Sequence, residues 1–198
     1  LQLAVLERRV RKLANEFQPP LMEPLSIVRD EIRRLEHILQ DFLQFARPAQ
    51  PSLAPTSIGE VLDRVAGLLE ADAQRRGVVL ELRIANAPSV LAYADQLRQV
   101  FMNFTLNAMD AAGDNGRVLI SCDTDSAALN RKGLIAVHVD DSGPGISPDV
   151  AARIFEPFFT TKEEGSGLGL PISHAVVSQH GGSIQIDRSP LGGARMRV

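Results

Sequence analysis

The residues of this chain best placed to do chemistry are two asparagines, a pair of acids and two glycine clusters. In chain order they are Asn103, Asn107, Asp140-Asp141, Gly143-x-Gly145 and Gly165-x-Gly167-x-Gly169. Asn103 and Asn107 are four apart, so on a helix they share one face. Two amides in the otherwise apolar run Q-V-F-M-N-F-T-L-N-A-M are costly to bury without partners. Asp140 and Asp141 close an apolar strand pattern (Leu134, Ile135, Val137, Val139), and the glycines after them leave a carboxylate beside backbone free of side-chain bulk. That is a place to hold a flat polar ligand. Gly165, Gly167 and Gly169 lead into Leu170, Ile172, Ala175 and Val176 at helical spacing, where a first turn offers amide hydrogens and the positive end of a dipole. That is a place to hold phosphate. Between the two lies an aperiodic stretch with Phe155, Phe158, Phe159, Thr160, Thr161 and Lys162, long enough for a lid rather than a turn.

The elements that must position these groups follow from periodicity. The spacing predicts a helix over Gln96 to Ala112 with Leu97, Phe101, Phe104 and Ala108 on its packed side and Asp95 as its cap. Ser57-Ile58-Gly59-Glu60 has the form of a capping box, followed by an apolar helical face from Ile58 to Ala73 that Gly77 stops. Strands are expected over Val78 to Ala85, Val90 to Tyr93, Arg117 to Asp123, Leu134 to Asp140, Ser183 to Asp187 and Ala194 to Val198. Strand alternation turns Asp140 away from Asp141, which makes Asp140 a surface acid. A dinucleotide-binding reading of the glycines requires a buried strand just before Gly165 and a third glycine at 170. The chain has Thr160-Thr161-Lys162-Glu163-Glu164 and then Leu170.

Upstream, Leu3, Leu6, Val10, Leu13 and Phe17 alternate spacings of three and four, Gln18-Pro19-Pro20 interrupts, and the seam resumes from Leu25 to Ala46. Residues 1–47 therefore read as an antiparallel helical hairpin with more apolar surface than one partner helix covers, which implies a homodimeric four-helix bundle. Residues 48–56, with Pro48, Pro51 and Pro55, read as a linker, and 57–198 as a second, α/β domain.

Composition narrows the classes. A formal charge of -3 and the lack of a basic stripe argue against nucleic acid as a partner. A single cysteine, Cys122, excludes an internal disulfide and a cysteine zinc site, and is read as core filling. His174 and His180 are read as structural, with no third ligand at metal spacing. No run of eighteen apolar residues occurs, so the expectation is a cytoplasmic chain without membrane contact of its own, whether or not a larger parent is anchored.

N-x-x-x-N-A-x-x-A at Asn103, D-x-G-x-G at Asp141 and G-x-G-L-G-L at Gly165, in that order, resemble the N, G1 and G2 boxes of sensor histidine kinases, in the GHKL (Bergerat) ATPase superfamily. The Phe-rich stretch resembles the F box. L-E-H-I-L-Q-D-F-L-Q-F-A-R-P resembles the second helix of the dimerisation hairpin in the nitrogen-regulation-like subgroup.

The resemblance implies an α/β (α+β) two-layer sandwich with a mixed sheet, preceded by the dimeric hairpin. It implies ATP and Mg²⁺ as ligands, with Asn107 the metal ligand and Asn103 beside the phosphates. Asp141 would accept the adenine amine, which predicts ATP over GTP because guanine presents a carbonyl there. Gly143, Gly145 and Ile146 would line the base, and Phe159 and Thr161 the lid. Lys162 and the amides of Gly167, Leu168 and Gly169 would meet the triphosphate. ATP-hydrolysing relatives place a glutamate where Asn103 stands, and an amide cannot serve as that base. Many kinases carry a basic residue where this chain has Asp110, and the last turn, Gly192-Gly193-Ala194, lacks the family's threonine. The accepting histidine's box is absent, the resemblance placing it just before Leu1. His37, on the second helix, is read as a solvated residue. The expected function is γ-phosphoryl transfer from ATP to a histidine for relay to a response-regulator receiver domain, with ADP released. This chain alone would bind nucleotide and dimerise without autophosphorylating. A nucleotide-gated interaction module and a water-directed ATPase are the alternatives.

Overall fold

A computed structural model describes residues 24–29, 32, 53–84, 87–123, 134–162 and 165–198. Of the hairpin, residues 24–29 and 32 are described and helical; these include Leu25, Val28 and Ile32 of the seam, while the rest of the seam, the dimer and His37 lie outside the described residues. The chain divides into two compact units, Leu1–Pro48 with Thr161–Ser166, and Ala49–Thr160 with Gly167–Val198. No helix among the described residues is long and apolar enough to cross a membrane.

The second unit begins with strand β1 (Ala54–Ser57), which pairs antiparallel with β3 (Ser89–Ala92). The end of the stretch expected as linker is thus a strand, and Pro55 is tolerated because a two-stranded pair has a side that needs no donor. Helix α1 (Ile58–Arg75) starts where Ser57 accepts a hydrogen bond from the Glu60 amide at 3.3 Å, and stops before Gly77, whose φ of +66° a side chain would resist. Strand β2 (Val79–Ile84) follows, and after β3 comes helix α2 (Ala94–Ala112). Its N-cap is Tyr93, whose carbonyl accepts from Leu97 at 3.0 Å. Asp95, expected as the cap, instead lies in the first turn, where it pairs with Arg98 at 3.0 Å and favours the dipole.

Strand β4 (Arg117–Asp123) runs parallel to β2, a pairing that needs a crossover, and α2 provides it. Strand β5 (Ala136–Asp141) returns antiparallel to β4. A short helix, α3 (Pro148–Ala151), leads towards α4 (Gly169–Gln179), then β6 (Gln185–Arg188) and β7 (Ala194–Arg197). The five-stranded order is β2-β4-β5-β7-β6, with only β2 and β4 parallel. This is the expected mixed sheet with helices on one face. Leu62, Val65, Phe101, Phe104 and Val177 from the helices meet Val118, Ile120, Val139 and Met196 from alternate strand positions. Each of these large side chains contributes about 1.5–3 kcal/mol by leaving water.

The central strand β5 is buried along its whole length. Asp140 is therefore no surface acid: it is 0% exposed and forms a bidentate pair with Arg195, at 2.8 and 2.9 Å. Alternation does turn it away from Asp141, but β7 places Arg195 directly across from it in register.

Candidate functional site

Asp141 is the last residue of β5 and 5% exposed. Its Oδ1 accepts from the Gly143 amide at 2.8 Å and the Ala194 amide at 3.1 Å. No described residue bonds to Oδ2, which is the oxygen left for a ligand. Burial pushes its carboxyl above the ordinary range; the two amide donors pull the other way, and the nearby Asp140 charge adds to the rise.

The loop that makes these bonds requires glycine for its own packing. A Cβ on Gly143 would collide with the Ala111 carbonyl at the end of α2, and one on Gly193 would strike the Asp141 carboxylate. Gly145 takes a φ of +84°. Ile146 is partly buried against the core. The expectation that Gly143 opens space for a base is thus joined by a reason internal to the fold.

Asn103 and Asn107 share one face of α2, as their four-residue spacing requires, and through Asn103 that face meets α4. Asn103 Nδ2 donates to Ser173 Oγ at 3.0 Å, Ser173 donates to the Gly169 carbonyl at 2.9 Å, and Asn107 Nδ2 donates to Asn103 Oδ1 at 3.3 Å. An asparagine side-chain oxygen is a hard donor of the kind Mg²⁺ takes. Among the described residues no group of three His, Cys, Asp or Glu is placed to hold a metal ion.

Helix α4 begins at Gly169, with buried Leu168 as its N-cap, and Pro171 stands at the third position. Proline has no N–H, so the first turn offers the Gly169 and Leu170 amides before Ile172 bonds back to Leu168 at 3.0 Å. Gly167 has a φ of +67°, and a Cβ there would come within 2.5 Å of the Phe158 backbone. Phe158 donates its amide to the Gly167 carbonyl at 3.0 Å, itself adopts φ +67°, and is 69% exposed. Phe159 lies under the Arg153 guanidinium, 4.3 Å from its centroid, and Phe155 packs against the core. Thr161 and Lys162 belong to the other unit, where the Gly165 amide bonds to the Lys162 carbonyl at 3.3 Å.

The structure thus brings together Asn103, Asn107 and Gly169 at one place and Asp141, Gly143 and the Gly193-Ala194 turn at another, with α2 running between them. Three participants escape the motifs. Ser173 and Arg195 act through partners 70 and 55 residues away. Asp110 pairs with Arg76 at 2.5 Å, and Arg76 also pairs with Asp72 at 2.8 Å, so Asp110 fastens α2 to the end of α1. His180 holds the Tyr93 amide on Nε2 at 3.0 Å and the Val176 carbonyl on Nδ1 at 2.7 Å, the structural role expected for it.

Residues 92–198 match the family model described as histidine kinase-, DNA gyrase B- and HSP90-like ATPase. The chain is 34% identical over 176 residues to the sensory histidine kinase/phosphatase NtrB of Rhodobacter capsulatus, covering 85% of this chain and 50% of that one. It therefore spans about half the length of that relative. The catalytic domain of histidine kinase ThkA superposes with a TM-score of 0.64 at 28% identity, over 74% of this chain and 93% of ThkA's. Full-length ShkA in complex with AMPPNP gives 0.76 at 29% identity, over 99% of this chain and 44% of that one.

Proposed function

This chain belongs to the histidine kinase-, DNA gyrase B- and HSP90-like ATPase family, and on that premise we propose that it is the ATP-binding kinase core of a two-component sensor histidine kinase. The observation that supports this most is the Asp141 carboxylate, with Oδ1 occupied by two backbone amides and Oδ2 left over. An acceptor held in this way pairs with the exocyclic amine of adenine and opposes the guanine carbonyl.

In this reading Ile146, Gly143 and Gly145 border the base. The Gly167, Leu168 and Gly169 backbone meets the phosphates, and Phe159 borders the lid. Thr161 and Lys162 are assigned to the triphosphate on the family motif alone. Asn107 would hold Mg²⁺, which when bound neutralises phosphate charge. Asn103 cannot take a proton from water, which keeps the nucleotide intact until another nucleophile arrives. That nucleophile is a histidine imidazole nitrogen: its bond to the γ-phosphorus forms as the β–γ bridging P–O bond breaks, and ADP leaves. Catalysis is then positioning and charge neutralisation. The partners would be a second copy, through residues 1–47, and a response-regulator receiver domain, in the cytoplasm.

The test is incubation with γ-labelled ATP of the chain extended by a first hairpin helix that carries an acceptor histidine. Acid-labile label on that helix, with little phosphate released to water, is the expected result. Steady phosphate release abolished by Asn107→Ala, with no labelled protein, would instead mark a water-directed ATPase.

A further inference from the structure

Ser189 is a buried polar residue outside the asparagine and glycine motifs, 5% exposed, where β6 gives way to the turn into β7. Three bonds close that turn, and each of them ends on Ser189. Its amide donates to the Gly193 carbonyl at 2.9 Å, its carbonyl accepts from the Gly192 amide at 3.0 Å, and its Oγ accepts from the Leu191 amide at 3.0 Å. The two residues that leave the turn then donate to the acid. Gly193 gives its amide to the Asp141 carbonyl and Ala194 gives its amide to Asp141 Oδ1, both at 3.1 Å. A small opening of the turn would take both donors off Asp141. The backbone alone supplies little stiffness against this, because Gly192 and Gly193 are adjacent and Gly192 takes a φ of +106°. Pro190 carries no N–H, which leaves the Leu191 amide as the donor that the Ser189 hydroxyl holds.

We propose that Ser189 is a positioning residue for base recognition, its hydroxyl holding the turn in the shape that puts the Gly193 and Ala194 amides on Asp141. The proposal rests on the reading of Asp141 as acceptor of the adenine amine. Without the hydroxyl the Leu191 amide turns to water, the glycines let the turn open, and Oδ1 loses the Ala194 donor. The carboxylate can then rotate, and neither oxygen is reserved for the ligand. A serine that only stabilised the hairpin would lower resistance to urea and leave the recognition and ionisation of Asp141 as they were.

The test compares the full chain as wild type, Ser189→Ala and Ser189→Cys. Cysteine is close to serine in size and a weak acceptor, and serves where alanine does not fold. Calorimetry with non-hydrolysable ATP and GTP analogues in Mg²⁺ gives the adenine-over-guanine ratio of affinities, which should fall roughly fivefold in both variants, the value of about one hydrogen bond. Without nucleotide, NMR titration of the chain carrying isotope-labelled aspartate follows the Asp141 carboxyl. Its midpoint should move up in both variants, because an amide that favours the ionised form is lost. Asp140, whose charge also acts on Asp141, keeps its Arg195 partner throughout. An unchanged ratio or an unchanged Asp141 titration in the variants overturns the proposal while leaving the nucleotide site standing. Wild type that binds neither analogue, or both equally, overturns the reading of the site itself, and this proposal with it.

Discussion

Two backbone amides hold the same oxygen of Asp141, and that one fact fixes what an amide would do in its place. In Asp141→Asn the carbonyl oxygen must take the Gly143 and Ala194 amides, which turns the new NH₂ towards the ligand. It would then face the adenine amine donor to donor and the guanine carbonyl donor to acceptor. We expect ATP affinity to fall by about 10- to 100-fold, the cost of an unmade buried hydrogen bond, and the ATP-to-GTP ratio to shift towards GTP. Competition binding with both nucleotides checks this. The same carboxylate predicts a pH dependence. Its acid is raised by burial, so in the window between the ordinary and the raised value the native state holds more protons than the unfolded chain. Its contribution to stability is largest below that window and is lost as pH rises through it. Adenine binding has the opposite sign, because the ionised form is the acceptor: affinity should drop as pH falls through the raised value. Titrating Mg-ATP at stepwise lower pH should show that drop in wild type and a flatter profile in Asp141→Asn.

At the scale of elements, the sheet is pinned by a pair that the sequence hides. Asp140 and Arg195 sit opposite each other on β5 and β7, 55 residues apart, and alternation alone cannot say what covers the second face of a central strand. Removing one partner strands a buried charge, so Arg195→Ala should lose about 3–5 kcal/mol in urea unfolding, whereas Asp140→Asn with Arg195→Met should recover much of it. Local signals fared better. The asparagine spacing, the Ser57 cap and the strand leading to Asp141 were legible because each depends on residues within one turn or one strand. The cap of α2 was not, because Tyr93 uses only its backbone there and leaves no side-chain signature. Strand β1 was not legible either: Pro55 argues against a strand until β3 is known to lie on its one bonded side. Asp110 reads as a lost cation in the sequence, and only the approach of Arg76 from α1 reveals its use. Close packing of α4 on α2 makes a further prediction: Gly169→Ala puts a methyl 2.5 Å from Asn103 Oδ1 and should weaken nucleotide binding at least tenfold in a calorimetric titration, with the sheet still folded.

Across the whole molecule, the unit that carries Asp141 and Asn107 matches the family model, while the chain spans about half of a curated relative. In the proposed function this unit holds ATP and releases its γ-phosphoryl group only to a histidine brought from outside it. Holding adenine through Asp141 is the part on which the rest depends. Isothermal titration of the full chain with a non-hydrolysable ATP analogue and its guanine counterpart, both with Mg²⁺, tests it most directly. Saturable heat with the adenine analogue, at least tenfold weaker binding of the guanine one, and loss of the adenine signal in Asp141→Ala are predicted. Equal binding of the two, or an adenine isotherm untouched by Asp141→Ala, would contradict the account.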